Sequence, residues 1–487
     1  MIEPFYLGGE LETAEREAGQ ERVREVSEVG LERLLQEGRG LQAEMAGVPV
    51  EDRLAVLDML GEVWRERLMA GELDRAKEAL VASTGYPSKL IDLEFSLVAK
   101  VLDGREMGRN LSASLMGGAR SLEAFVPWGE GESLRHLPAG PSLIISSGNS
   151  IVPTLIPTAV SLACGCFTLL KPSLSNYQAV VEAFSGLGEI MKRSPATHLM
   201  ARSLCISYLG HDSPGLRAAL TSSPFGVVNY WGGEPGRGTV ATLVAQNPHR
   251  PRLFVNGPLT GFAIVAEGQD SDPVARGLAL NMVLYEQQLC SSPTMGAYLG
   301  SWEGALGFAG LVREHLEAIG ADYRVEPSDD ALFVAHGARK VMAFKGSRVL
   351  SSKGAHNPWT LAVSPGRSNL DEAVASFPSF SLPGRRRFLE LVVVEDVDQA
   401  ARLVAQLPAM AAYRGVDKVQ TVGLSLPDAL REQALWSLAP LGVYRIVPIQ
   451  DMFMRSAAEP YDGTPLASLF TYAVYERQRP LSPEGGP

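Results

Sequence analysis

Between residues 10 and 110 apolar side chains recur at helical spacing, with Leu54, Leu57, Leu60, Trp64 and Leu68 forming one stripe among Glu, Arg and Ala. A stripe of that period buries one side of a helix and leaves the other wet, so this region reads as several amphipathic helices. Thr84-Gly85-Tyr86-Pro87 breaks the pattern, because glycine and proline both end helices. From 119 to 140 the periodicity dissolves around Pro127, Gly129, Gly131, Pro138 and Gly140, as in an extended excursion or hairpin. After 141 short apolar runs (LIIS, FTLLKP, CISYLG, GVVNYWGG and RLFVNGPLTGFAIV) alternate with helical stretches to about 266. The alternation resumes over 267–445, where LVVVEDVDQAARLVAQL is a strand followed by a helix. Apolar strands separated by helices are what a mostly parallel sheet covered on both faces requires, so the expected fold class is α/β. Near the end, SLFTYAVYE is a strand too apolar to stand as a bare edge, which favours pairing and a homo-oligomer.

Composition changes this picture little. Residues 141–170 carry no charge, yet Gly148-Asn149-Ser150, Pro153, Pro157 and Gly165 punctuate them. A membrane-spanning helix needs roughly 20 mostly apolar residues without such breaks, so the run reads as strand, turn, helix and strand. The net charge of −11 argues against a general nucleic-acid or anionic-membrane surface. The four cysteines show no framework spacing, and the acidic N-terminus lacks a basic segment ahead of an apolar one. Free thiols, a reducing compartment and a cytoplasmic location are therefore expected.

The chain has no G-x-G-x-x-G fingerprint, phosphate-binding P-loop, H-E-x-x-H zinc site or G-x-S-x-G nucleophile elbow. Cys164-Gly165-Cys166 has apolar neighbours and no second Cys or His pair, so it reads as core, and no metal is expected. Cys290 differs from the other three thiols, because it stands in the polar run QQLCSSP. The helix ahead of it begins at Ser271-Asp272-Pro273, presents Val274, Leu278, Met282 and Tyr285, and is expected to end near Gln287. A helix C-terminus carries negative partial charge and does not favour a thiolate, so a nucleophilic Cys290 needs activation from elsewhere. On local features alone a structural thiol is the better reading, because a free cysteine commonly behaves as a small hydrophobe.

Three more positions carry possible chemistry. Asn149 follows a buried strand in a Gly-Asn-Ser turn, where its amide suits either an oxyanion or left-handed turn geometry. Lys171 ends the next strand in LLKPS and is either a ribose or phosphate ligand or a solvated strand-end lysine. Gly232-Gly233 follow VVNYW and precede a helical run, placing bare amides where a pyrophosphate would bind.

Taken in order, SGNSIVPTLIPTAVSLACGCFTLLKPS, YWGG at 230–233 and QQLCSSP resemble the aldehyde dehydrogenase superfamily. Within it, WGG, QQ-x-CSSP and YDG at 461–463 are most similar to LuxC-type fatty acyl-CoA reductases, over most of residues 50–475. The resemblance implies a Rossmann-type cofactor domain with N-terminal helices (1–120 and 141–266) and an α/β catalytic domain (267–445). A small bridging or oligomerisation element would combine 121–140 with 446–487. It further implies catalytic roles for Cys290 and Asn149, and cofactor contacts from Lys171, Ser173, Gly232 and Gly233.

The departures set the direction of the reaction. The family's water-activating glutamate falls on Asn256, and an amide is no general base at neutral pH. The glutamate that holds the adenosine ribose diol is Leu174, which removes repulsion of a 2′-phosphate and favours NADPH, with NADH still open. Glu390 lies out of register with the family's nicotinamide-ribose glutamate and is not assigned. The expected reaction is reduction of a fatty acyl thioester, on CoA or on an acyl-carrier or acyl-transferase protein, to an aldehyde through a Cys290 acyl-enzyme. Arg385-Arg386-Arg387 would meet CoA phosphates or an acidic carrier, or form a solvated strand entry. A CoA-acylating or NAD(P)-dependent aldehyde dehydrogenase and a non-redox acyl relay remain open alternatives.

Overall fold

The charge-free run beginning at 141 resolves into strand Ser142–Ile145, helix Val152–Ala163 and strand Thr168–Lys171. This is seen in a computed structural model, which describes residues 1–19 and 21–479. Every residue of both strands is buried, and so is nearly all of the helix. The hydroxyls caught in this interior bond one another: Ser142 lies 2.8 Å from Ser161 and Ser161 lies 2.9 Å from Thr168. Buried polar groups stay cheap only when satisfied in this way.

The two strands sit in a six-stranded sheet ordered Phe5–Tyr6, Leu204–Ile206, Thr168–Lys171, Ser142–Ile145, Val227–Trp231, Arg252–Asn256. All neighbours are parallel except Phe5–Tyr6. The strand order reverses at Ser142–Ile145, which pairs with Thr168–Lys171 on one side and Val227–Trp231 on the other. In doubly wound sheets, ligands bind beyond the carboxyl ends of the strands at such a reversal. A three-stranded antiparallel sheet accompanies it, in which Thr471–Arg477 pairs with Glu132–Pro138 and that strand with Val126–Gly129. The apolar C-terminal strand is therefore paired within the chain.

These sheets belong to one compact unit, Met1–Thr84, Asp92–Asn256 and the chain from Ser456 on; Gly85–Ile91 and Gly257–Arg455 form a second. The second unit holds a seven-stranded sheet ordered Arg348–Ser351, Thr360–Pro365, Phe388–Val394, Pro293–Leu299, Leu259–Ala266, Lys418–Ser425, Arg445–Pro448. Only the first of these runs antiparallel. Its core is apolar, with Phe262, Ile264, Ala297, Val392 and Val422 all fully buried.

The structure corrects three expectations. The domain boundary falls at Asn256/Gly257 and not at 266, since Leu259–Ala266 is a central strand of the second sheet. Seven of its eight residues are buried, which requires both faces of the strand to be covered. Second, Thr13–Ala18 and Glu21–Val26 form an antiparallel pair where helices were expected. Glu and Arg favour helices, but here Arg24 pairs with Glu15 at 3.1 Å across the strands and Val23 and Val26 are buried, so tertiary context overrides propensity. Third, the helix ahead of Cys290 is Asp272–Val283, ending four residues earlier than its periodicity predicts. Residues 480–487 of the expected bridging element lie outside the described residues. Among the described residues no helix is long and apolar enough to cross a membrane.

Candidate active site

In the first unit, the residues singled out from sequence fall at the carboxyl ends of neighbouring parallel strands. Asn149 lies four residues past Ile145, in a loop whose geometry is fixed by Glu94. That carboxylate is almost fully buried, accepts from the Ile151 amide at 2.7 Å and is hydrogen-bonded by the Ser150 hydroxyl. Ser147 donates to the Asn149 side-chain oxygen at 2.7 Å. The loop after the next strand packs against this one. A Cβ on Gly148 would sit 2.6 Å from the Ser173 hydroxyl, so the close approach requires glycine.

Lys171 is 5% exposed, with its ammonium 5.4 Å from the centre of the Tyr208 ring. Burial, uncompensated by a carboxylate among the described residues, pushes its pKa down to about 8. The same cation, together with burial, lowers that of His211. A buried cation without a counter-charge is expensive in the absence of a ligand, and an anionic or hydroxyl-rich ligand relieves it.

The glycine pair corrects one expectation. Gly232 donates its N–H to the Asn256 carbonyl at 3.1 Å, so only part of the pair presents bare amides. The helix starts three residues later, at Gly236, and its first turn is bonded by the Glu234 carboxylate, which accepts from the Gly238 amide at 3.0 Å. Glu234 also pairs with Arg237 at 2.7 Å. The chain thus places its own carboxylate at that helix N-terminus.

Asn256 is held at both ends of its amide. It accepts from Asn229 at 2.9 Å and donates to Asp462 at 2.8 Å, while Trp231 donates to Asn229 at 2.5 Å. The Trp231 ring meets the Tyr461 ring edge to face at 4.8 Å between centroids. YW at 230–231 and YDG at 461–463, far apart in the chain, are thus one network closed by Asn256. A glutamate could not substitute, since it has no N–H to give to Asp462.

In the second unit, Cys290 lies in the turn between Gln287 and strand Pro293–Leu299, and it is half-buried while Cys164, Cys166 and Cys205 are fully enclosed. Ahead of it, Tyr285, Glu286 and Gln287 all adopt left-handed backbone, with φ of 52°, 52° and 63°. Each such residue costs about 1–2 kcal/mol when it carries a Cβ. Side chains hold the run in place. Arg387, with no exposed side-chain surface, grips Glu286 through both Nε and Nη2 at 2.5–3.1 Å. Gln287 donates to the carbonyls of Pro293 and Phe388 and accepts from the Phe388 amide at 2.6 Å. Tyr285 packs against Tyr86 and Phe453. On the other side of the turn, Gly261 approaches so closely that a Cβ would lie 2.3 Å from the Ser291 carbonyl. Gln420 donates from Nε2 to the Cys290 sulfur at 3.2 Å.

The sequence alone does not single out Glu94, Glu286, Asp462 or Gln420 as site residues, although Asp462 lies in YDG and Glu286 directly precedes QQLCSSP. The basic triplet is also corrected. Arg385 and Arg387 are buried, Arg385 lying over the Tyr413 ring at 4.7 Å, so only Arg386 faces solvent. Glu390 is fully buried and bonded by Ser364, Ser368 and the Asn369 amide, a structural role. Among the described residues no cluster of His, Cys, Asp or Glu is arranged to hold a metal ion.

The family model for acyl-CoA reductase (LuxC) matches residues 45–472. The chain belongs to the LuxC family. Its relatives include the long-chain acyl-protein thioester reductase of Photorhabdus luminescens, 24% identical over 408 residues, which are 81% of this chain and 75% of that one. That of Aliivibrio fischeri is 24% identical over 58% of this chain and 57% of its own, and reductase 2 of Photobacterium leiognathi 21% over 52% of each. The LuxC chain thus spans just over half the length of the last two. Among solved structures, methylmalonate-semialdehyde dehydrogenase from Oceanimonas doudoroffii superposes over 99% of this chain and 98% of its own, with a TM-score of 0.69 at 13% identity. Salicylaldehyde dehydrogenase from Pseudomonas putida G7 does so over the whole of both chains, at 0.67 and 14%. This LuxC-family chain has the aldehyde-dehydrogenase α/β fold.

Two predictions follow from these contacts. Arg387→Met strands the buried Glu286 carboxylate, and removing one partner of such a pair costs about 3–5 kcal/mol. Urea unfolding should show that loss, and a change below about 0.5 kcal/mol would contradict it. For Lys171 the folded pKa of about 8 lies below the unfolded value near 10.4, so the unfolded chain binds more protons between them. Its destabilising effect is full below pH 8 and lifts as pH climbs toward 10.4, a gain on the order of 3 kcal/mol. Lys171→Met should flatten that alkaline gain relative to the parent chain; parallel pH profiles for the two would refute it.

Proposed function

We propose that this LuxC-family chain reduces a fatty acyl thioester to an aldehyde, with Cys290 carrying the acyl group and NADPH as reductant. The observation that supports this best is Asn256. The family resemblance aligns it with the water-activating glutamate, and it is bonded at both ends of its amide, so it would have neither the basicity nor the freedom to deliver a hydroxide. An acyl group on Cys290 is thereby shielded from hydrolysis and kept for reduction.

The residues of the first unit fit a nicotinamide dinucleotide. Lys171, a buried cation without a carboxylate partner among the described residues, would hold ribose hydroxyls or a phosphate, with Ser173 beside it and Gly148 giving the room. Leu174 leaves the ribose end without a carboxylate, which favours the 2′-phosphate of NADPH over NADH. Gly233 offers backbone at the next strand end. When bound, the nicotinamide supplies hydride. The chain's own work lies elsewhere: Cys290 attacks the thioester carbonyl and expels CoA or a protein thiol. Asn149 and the Cys290 backbone N–H are the proposed donors to the oxyanion, each typically worth about 3 kcal/mol. The relatives named acyl-protein thioester reductases favour a protein-bound acyl donor alongside acyl-CoA. A homo-oligomer and a cytoplasmic location complete the proposal.

The purified chain, exposed to radioactive long-chain acyl-CoA, should take up label at Cys290 and release labelled aldehyde only on addition of NADPH. Cys290→Ala should take up none. Label retained by Cys290→Ala would overturn the assignment of the nucleophile. Label that NADPH does not release would favour a non-redox acyl relay.

A further inference from the structure

Cys290 has no helix N-terminus behind it, since the preceding helix presents its C-terminal end and the backbone then turns left-handed. We propose that Gln420 is a catalytic residue, whose side-chain N–H stabilises negative charge on the Cys290 sulfur both in attack and in release of the aldehyde. This rests on Cys290 being the acyl-carrying nucleophile.

The sheet itself aims this side chain. Strands Leu259–Ala266 and Lys418–Ser425 run parallel, with Thr260 opposite Val419 and Gly261 opposite Thr421. Gln420 is therefore the extra residue of a β-bulge, a device that is rare in parallel sheets and that redirects a side chain beside functional sites. A second register shift lies on the other edge of the same strand, where Gly261 pairs with Pro293 and Phe262 with Met295. Gly261 sits at both shifts and donates its N–H to the Ser292 carbonyl at 2.9 Å. The bulge that turns Gln420 and the turn that carries Cys290 thus share one glycine.

The amide is also oriented. Gln420 is fully buried, and its carbonyl end accepts from the Thr421 hydroxyl at 3.0 Å. That leaves the NH₂ end toward sulfur, at 3.2 Å. A fully buried glutamine on an interior strand, fixed at one end by the Thr421 hydroxyl and directed at a thiol, is more than the packing of that strand requires.

The chemistry uses this donor twice. As the thiolate attacks the acyl carbon, the S–C bond forms and the donor thiol of the substrate leaves with its electron pair. Once hydride from the dinucleotide reductant has reached that carbon, the resulting hemithioacetal alkoxide re-forms C=O. The C–S bond breaks with its electron pair returning to sulfur, releasing aldehyde and regenerating thiolate. A thioester sulfur is a poor acceptor and a thiolate a good one, so the N–H favours the two states in which sulfur carries charge.

The test reads the sulfur without requiring turnover. In the native chain only Cys290 is accessible, the other thiols being fully enclosed, so iodoacetamide alkylation followed against pH reports its ionisation. Gln420→Met keeps length but lacks the donor, and Gln420→Glu keeps the Thr421 bond but puts a carboxylate beside sulfur. Both should shift the alkylation midpoint to higher pH, with Glu shifting it further. The rate at pH 7 should fall about tenfold, while the alkaline plateau stays within roughly threefold of the parent chain. An unchanged midpoint in both variants would overturn the proposal. So would a loss of rate at every pH with no shift in midpoint, the signature of a displaced turn. A shifted midpoint in a chain that takes up no acyl label would instead uphold the Gln420 contact and defeat the acyl-carrier reading.

Discussion

The Glu286–Arg387 ion pair is the constraint on which the cysteine turn depends. Three consecutive side-chain-bearing residues in left-handed backbone are unfavourable by several kcal/mol, and they persist only where surroundings leave no alternative. Arg387 supplies that compulsion from just ahead of strand Phe388–Val394, with its guanidinium fork matched to the carboxylate of the middle residue. Gln287 adds three bonds to the same strand and to Pro293. The consequence is that the chain reverses sharply after Val283 and delivers Cys290 at the amino end of a sheet strand with a partly open sulfur. A relaxed helical continuation through Gln287 would have carried the thiol elsewhere.

The first unit is organised on a different principle. Its candidate residues follow from topology, because parallel strands whose order reverses bring Asn149, Ser173 and Gly232 to the carboxyl end of one sheet. Local contacts then refine the loops: Glu94 fixes the Asn149 turn, and Asn256 ties strand Val227–Trp231 to the YDG turn. On the proposed reading, the loss of a general base at Asn256 and the gain of this network are one substitution seen from two sides. An amide can bridge an asparagine and an aspartate, whereas a carboxylate can only accept.

Much of this was legible in the sequence, and for definable reasons. Strands apolar on both faces, each ending in Gly, Asn or Lys, announce a parallel sheet and where its ligands go. The helix stripe of Leu57, Leu60 and Trp64 is likewise buried. The illegible parts depend on contacts between distant segments. Thr13–Ala18 and Glu21–Val26 are rich in helix formers and form a strand pair because the fold buries Val23 and Val26, with Glu15 and Arg24 meeting across the exposed face. Tyr285, Glu286 and Gln287 carry no local sign of left-handed backbone, since the force holding them comes from Arg387. Gln420 owes its direction to a register shift opposite Gly261, which no property of KVQTVGLS discloses.

On the proposed reading, Cys290 keeps its acyl group from water until hydride arrives. The most direct test follows the isolated acyl-enzyme by intact-mass spectrometry, first in buffer and then with NADPH. The acyl mass should persist in buffer and disappear on addition of NADPH, with an equal amount of aldehyde formed. Loss of the acyl mass as free fatty acid, at the same rate with and without NADPH, would contradict it.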